Sequence, residues 1–251
     1  MGNSFDLLDL IIPVWNEGEN ITATLREIED KVFTPHRILI VYDFDEDNTI
    51  PVIRKYTKEK GKDNLDLVKN HYGKGVLKAL KTGFEVAKAE VLLVVMADTS
   101  DDLSIVDEMF KRINQGYDIV CGSRYMEGGK QIGGPKLKKF LSRLAGVSLH
   151  LFSGIPTHDI TNSFKMYRKS VFKDMQIESS GGFEIGMEIV VKAYLKGYKI
   201  TELPSVWQDR TAGESRFKIA QWLPKYIRWY LLALQGRFKK KGGNERYGVK
   251  R

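Results

Sequence analysis

Residues 91–102 read VLLVVMADTSDD. Six apolar residues, Val91 to Met96, run into Asp98 and then into a short acidic loop. An unbroken apolar run of this length suits a strand buried on both faces, and such strands belong to parallel sheets covered by helices. The same pattern occurs twice upstream. Leu7–Val14 (LLDLIIPV) leads into the turn Asn16-Glu17-Gly18, and Arg37–Val41 (RILIV) leads into the acidic loop Tyr42–Asn48. Helical patterns separate these runs. They cover Asn20–Val32, Ile50–Lys60, Gly75–Ala87 and Ser104–Asn114, and the third places Val76, Leu80, Phe84 and Ala87 on one face. Leu65–Val68 is a further strand, and Ile119–Cys121 closes the series.

This alternation predicts an α/β, Rossmann-like architecture: a mostly parallel central sheet with helices on both faces. Ligands of such sheets bind outside the carboxyl ends of the strands. Four loops meet that condition: Trp15–Asn20, Tyr42–Thr49, Asp98–Asp102 and Gly122–Tyr125. In the second half, Leu137–Phe152 is an amphipathic helix, Ile160–Tyr167 a strand, Glu184–Lys196 a helix and Lys199–Val206 a strand. Phe217–Gln235 is a last helix rich in Trp and Tyr. No linker rich in Pro, Gly or Ser separates the halves. The expected division is one domain over 1–216, an amphipathic aromatic helix over 217–236, and a flexible basic tail over 237–251.

Composition narrows the function. Hydrophobic residues are 42% and charged residues 29% of the 251, which excludes a disordered chain. The single cysteine, Cys121, excludes a disulfide framework and a Cys-rich zinc site. The four histidines form neither HxxxH nor HExxH, and GxSxG, GxGxxG and GxxxxGK[ST] are all absent. The start carries no basic region followed by an apolar core, so a cytoplasmic location is expected. Six of the eight net positive charges fall within residues 237–251. A tail of this kind suits an anionic lipid surface, and no nucleic-acid partner is expected.

The loops carry the chemistry. Asp43, Asp45, Asp47, Asp98, Asp101 and Asp102 all fall along one sheet edge and would repel one another. A hard divalent cation, Mg²⁺ or Mn²⁺, relieves such repulsion and is held by one or two carboxylates plus substrate phosphates. Helix capping is the other use of these carboxylates: Asp47 could cap the helix starting near Ile50, and capping is assigned to Asp101 and Asp102, while Asp98, at the end of the most apolar strand, is assigned a ligand role. Tyr72-Gly-Lys-Gly75 opens a helix, where glycines let backbone approach a phosphate. Gly122-Ser-Arg-Tyr125 offers an arginine fork, and Arg210 with Ser215-Arg216 a second basic cluster. Acidic loops facing basic loops suggest a nucleotide diphosphate substrate.

As an ordered set, these motifs resemble the family-2 glycosyltransferases of the GT-A fold, and among them the dolichyl- and polyprenyl-phosphate sugar synthases. Ile12-Pro-Val-Trp-Asn-Glu17 is similar to P-x-Y-N-E, and Val41–Thr49 to V-D-D-x-S-x-D-G-T. Gly73–Ala87, Asp118–Tyr125, Asp159–Phe164 and Asp209–Arg216 are similar to the later motifs. The family's D-x-D appears here as Met96-Ala97-Asp98, and a thioether does not bind a hard cation. The resemblance implies sugar transfer, with inversion, from a nucleotide-diphosphate sugar to a polyprenyl or dolichyl phosphate. Pro13, Trp15, Asn16, Glu17, Asp43, Asp45, Lys74 and Asp98 would hold the nucleotide. Asp98, completed by Ser100, water or donor phosphates, would hold the metal. Arg210 would stabilise the leaving nucleotide, and Ser123, Arg124, Arg143 and Arg216 would hold the acceptor phosphate. A hydroxyl acceptor would instead need a base, for which Asp159 and Glu188 are the candidates.

Within Ala220–Leu234 (AQWLPKYIRWYLLAL), Trp222, Tyr226, Trp229 and Tyr230 read as interfacial rings on an in-plane helix, ahead of the basic tail. Peripheral attachment to the cytoplasmic face of a membrane is the expectation; a helix packed on the body, or against a second copy or a membrane-protein partner, is the alternative. A transferase acting on glycan hydroxyls and a non-catalytic nucleotide-sugar-binding module remain the competing functions.

Overall fold

The apolar runs form the centre of a seven-stranded sheet. The computed structural model describes residues 4–61, 63–209 and 219–242. In chain order the elements are β1 (Leu8–Val14), α1 (Ile21–Lys31), β2 (His36–Tyr42), α2 (Thr49–Lys60), β3 (Leu65–Lys69), α3 (Val76–Val86), β4 (Val91–Val94), α4 (Val106–Asn114), β5 (Ile119–Ser123), β6 (Lys130–Ile132), α5 (Lys136–Ser153), β7 (Lys165–Arg168), α6 (Ile185–Lys196), β8 (Ile200–Pro204), β9 (Val206–Gln208) and α7 (Ile219–Gly242). The sheet order is β3-β2-β1-β4-β7-β5-β8. All neighbours pair in parallel except β7, which runs antiparallel to both β4 and β5.

Successive residues of a strand point to opposite faces, and each face has its own core. Ile11, Leu39, Val41, Leu92 and Val94 pack with Leu80 and Phe84 of α3, and with Leu149, Val190 and Trp229 of α5, α6 and α7. Leu10, Ile12, Ile38, Ile40 and Leu93 pack on the other side with Leu25 of α1, Ile53 of α2 and Met109 of α4. The expectation of helices on both faces holds.

Four features differ from the sequence reading. Ile119–Cys121 does not close the sheet, because β7 is inserted between it and β4 and β8 lies beyond it. Only Lys165–Arg168 of the expected strand 160–167 pairs; Asp159 and Asn162 tie the preceding residues into turns. The short polar strands β6 and β9, three residues each, form a separate parallel pair. α7 continues through Gly242, so the helix enters the basic stretch that was expected to begin a flexible tail at 237. Among the described residues, no helix is long and apolar enough to cross a membrane.

The interfacial reading of the last helix is corrected. Trp229 is 2% exposed and belongs to the core. Tyr226 and Tyr230 pack against the same core, and the Tyr230 hydroxyl lies 2.9 Å from Ser148 Oγ on α5. The side chain of Trp222 lies outside the described residues. The outward side of α7 is aliphatic instead: Leu223, Ile227 and Leu231 recur every fourth residue and are exposed. α5 exposes still more: Leu137, Phe140, Leu144, Leu151 and Phe152.

Candidate active site

The carboxyl ends of β1, β2, β4 and β5 share one edge, and the four expected loops meet there. On the β1–β2 side the loops are stitched together by Asp47, which is 1% exposed. Its carboxylate accepts from the amides of Asn16, at 3.0 Å, and Thr49, at 2.9 Å, the second contact being the expected cap of α2. Thr49 Oγ1 accepts from the Glu17 amide at 2.9 Å. Asn16 adopts φ 54°, a left-handed backbone that asparagine tolerates. Pro13 is the penultimate residue of β1, so the Pro13–Glu17 segment is delivered to the edge by the strand itself.

Asp43 stands at the end of β2, and both of its oxygens have partners. Oδ1 accepts from Asn70 Nδ2 at 2.7 Å, and Oδ2 from the Gly75 amide at 2.7 Å. Asp45 reaches outward to an ion pair with Lys69 at 2.5 Å; both side chains are more than half exposed, so the pair adds little stability. Trp15 and Phe44 meet edge to face with centroids 5.0 Å apart. The Lys74 ammonium lies 5.9 Å from the Trp15 centroid and 5.1 Å from that of Phe44. Phe44 and Asn70 were missed in the sequence, where neither a Phe between two aspartates nor an Asn ahead of a glycine turn carries a signature.

At the end of β4, Asp98 is 8% exposed, and its Oδ1 accepts from the Ser100 amide at 3.2 Å. Thr99 between them has φ 55°, a strained conformation for a β-branched residue and a mark of a constrained functional turn. Asp101 is buried behind the turn and accepts from the Met96 amide at 3.0 Å. Burial pushes its carboxyl up to about 7; the Met96 amide opposes this and the Asp98 charge adds to it. The expected capping role falls to Asp102, which accepts from the Ser104 amide, while Asp101 braces the Asp98 loop. Among the described residues no group of three or more His, Cys, Asp or Glu is gathered to hold a metal. The donor set fits a cation that takes its remaining ligands from substrate phosphates: Asp98 is a hard carboxylate at the edge, and Met96 contributes only its backbone amide.

On the β5 side the structure reassigns several expected residues. Arg124 is not an open fork. Its Nε and Nη2 bind Asp159 at 2.6 and 2.9 Å, Nη2 also reaches Thr161, and the side chain is 10% exposed. Burial alone would raise the Asp159 carboxyl, but the Arg124 charge and hydrogen bonds outweigh it and hold the carboxyl below its usual range. Asp159 is therefore an ion-pair partner with no free oxygen for a base role. Glu188 is equally engaged: it accepts from the amides of Glu178 and Ser179 at 2.6 and 2.8 Å and from Lys192 at 2.7 Å. Ser123 is fully buried, and its Oγ accepts from the Met126 amide. Ser100 is 3% exposed. Arg143 is exposed on α5, next to Ser142, which pairs with the Tyr125 hydroxyl. Arg210 and Arg216 lie outside the described residues.

A mostly parallel sheet, covered on both faces and edged by acidic turns, defines the GT-A class of glycosyltransferases. The chain belongs to glycosyl transferase family 2, whose match covers residues 9–176. It is 29% identical over 216 residues to a dolichol-phosphate mannosyltransferase of Pyrococcus furiosus, covering 84% of this chain and 59% of that one. This chain thus spans less than two thirds of that relative's length. It is 26% identical to a polyprenol monophosphomannose synthase of Mycolicibacterium smegmatis over 85% of each chain. Among solved structures, glucosyl-3-phosphoglycerate synthase of Mycobacterium tuberculosis, with Mn²⁺ and UDP, shares the fold at TM-score 0.66 and 11% identity, covering 93% of this chain and 80% of that one. TarS of S. aureus, with UDP-GlcNAc, does so at TM-score 0.62 and 18% identity, covering 90% and 66%.

Proposed function

We propose that this enzyme transfers a sugar, with inversion, from a nucleotide-diphosphate sugar to a polyprenyl or dolichyl phosphate at a membrane surface. The observation that carries the choice of acceptor is the engagement of both candidate bases, Asp159 under Arg124 and Glu188 under the 178–179 amides. A hydroxyl nucleophile needs a base, whereas a phosphate monoester, with a second pKa of about 6, is already ionised near pH 7. Its oxygen attacks the anomeric carbon from the face opposite the departing diphosphate. The two relatives named for dolichol and polyprenol phosphates support the same acceptor class.

Residues of the β1–β2 edge hold the nucleotide: the Pro13–Glu17 segment is tied to the β2 loop through Asp47, Asp43 is tied to the Gly75 amide, and Lys74 lies over Trp15. Asp98 would hold Mg²⁺ or Mn²⁺ together with the donor diphosphate, and the cation would neutralise charge on the leaving group. Asp101 keeps the Asp98 loop in place through the Met96 amide. Arg143 is an exposed cation of α5, in sequence between the exposed Phe140 and Leu144. α5 and α7, which pack against each other, contain no Asp or Glu and together expose Leu137, Phe140, Leu144, Leu151, Phe152, Leu223, Ile227 and Leu231. A cationic, apolar surface of this kind suits an anionic lipid bilayer and supports peripheral attachment at its cytoplasmic face.

The test is transfer from a panel of nucleotide sugars with Mg²⁺ or Mn²⁺, with and without a short polyprenyl phosphate. Product only with the lipid phosphate is the expected result. Product on a soluble hydroxyl acceptor alone would overturn the acceptor assignment.

A further inference from the structure

Asn70 is 6% exposed and uses all of its hydrogen-bonding capacity on one turn. Its Nδ2 donates to Asp43 Oδ1 at 2.7 Å and to the Gly73 carbonyl at 2.6 Å. Its Oδ1 accepts from the Tyr72 amide at 3.1 Å and from Thr82 Oγ1 at 2.9 Å. Asp43 Oδ2 then closes the ring by accepting from the Gly75 amide. An amide alone supplies two donors and two acceptors on one planar group; an aspartate of the same shape supplies no donor. The turn so held has φ 92° at Gly73 and 117° at Gly75, values that only glycine adopts freely. Between these two glycines stands Lys74, with its ammonium over the Trp15–Phe44 corner.

We propose that Asn70 is a positioning residue for nucleotide binding, and that the turn it locks presents Lys74 as a movable cation. This rests on the donor-binding reading above. In the free protein the ammonium rests on two aromatic faces, a weak and solvent-exposed contact. A nucleoside diphosphate offers both a planar base for those faces and oxygens for the ammonium. The base stacks in the corner, and Lys74 exchanges the rings for a charge-assisted bond to phosphate. The turn need not reorganise for this exchange, because Asn70 and Asp43 have fixed its backbone beforehand.

The experiment is calorimetric titration of the full chain with UDP and with GDP in the presence of Mg²⁺, for the unaltered protein, Asn70→Asp, Lys74→Met and the double variant. Asn70→Asp keeps the side-chain shape but sets a carboxylate against the Asp43 carboxylate and the Gly73 carbonyl. Each single variant is expected to weaken the preferred diphosphate by roughly tenfold, and the double variant to be no weaker than Asn70→Asp alone. For Asn70→Asp and Thr82→Val, the loss is expected to appear as a raised donor KM. Thr82→Val, which removes one bond to Asn70 while keeping volume, is expected to weaken binding in the same direction. Undiminished binding by Asn70→Asp and Thr82→Val, or losses that simply add in the double variant, would overturn the positioning role. Failure of the unaltered protein to bind either diphosphate would overturn the donor reading itself, and this inference with it.

Discussion

Asp98 and Asp159 show how two aspartates on one sheet edge come to different work. Asp98 stays at the open end of β4, on a turn strained at Thr99, whereas Asp159 is fully buried beneath Arg124. Asp98→Ala is expected to abolish metal-dependent donor binding and transfer while leaving the melting temperature close to that of the parent; near-normal turnover would remove Asp98 from the site. Asp159→Asn breaks a buried ion pair and is expected to cost about 3–5 kcal/mol in denaturant unfolding. The pH dependence has a definite sign. Because folding holds the Asp159 carboxyl below its unfolded range, the unfolded chain takes up this proton first on acidification. The stabilisation is full above about pH 4 and drains away as pH falls through the folded-state value. The stability gap between parent and Asp159→Asn should therefore narrow below about pH 4, and a gap that widens there would contradict the pairing.

At the scale of elements, α5 and α7 divide their side chains in a way that the residue types alone do not announce. Trp229 faces the core, while Ile227 and Leu231 on the same helix face out. Trp229→Ala should cost about 3–5 kcal/mol, as for other large core truncations. Replacing Leu137, Phe140 and Leu144 of α5 together by Ser should change stability by no more than about 0.5 kcal/mol per site, because all three are exposed. The same triple variant should lose sedimentation with vesicles containing anionic lipid. Retained vesicle binding would place the lipid contact elsewhere.

For the whole molecule, legibility follows the length and apolarity of each run. β1, β2 and β4 were readable because Leu10–Val14, Ile38–Val41 and Val91–Val94 are apolar runs buried almost throughout, and the one carboxylate of β1, Asp9, is itself buried against Arg37. β7 was read as a strand, but its start was placed at Ile160, because the apolar Ile160 and Phe164 look like strand although the chain there turns through Asp159 and Asn162. The interfacial rings were misassigned because an aromatic residue suits a core and a membrane boundary equally, and only packing separates them. Of the candidate site, the four loops at one sheet edge were legible, but the bracing by Asn70 and Asp101 was not. Asn70 reaches Asp43 from a distant loop and Asp101 folds back on the Met96 amide, and neither contact has a spacing that marks it in the sequence.

The position of β7 sets the order in which the molecule can be built. β4 and β5 are neighbours in the chain, but no hydrogen bond joins them, since β7 lies between. During synthesis β3, β2, β1 and β4 can pair as soon as Val94 has left the ribosome, yet one side of β4 has no partner until Arg168 emerges. More than seventy residues are made in that interval, and a bare strand edge is a template for pairing with other chains. The strands β7, β5 and β8 thus cannot complete the sheet before β3, β2, β1 and β4 have emerged, and a nascent chain stalled near residue 160 is the form of this protein most exposed to aggregation.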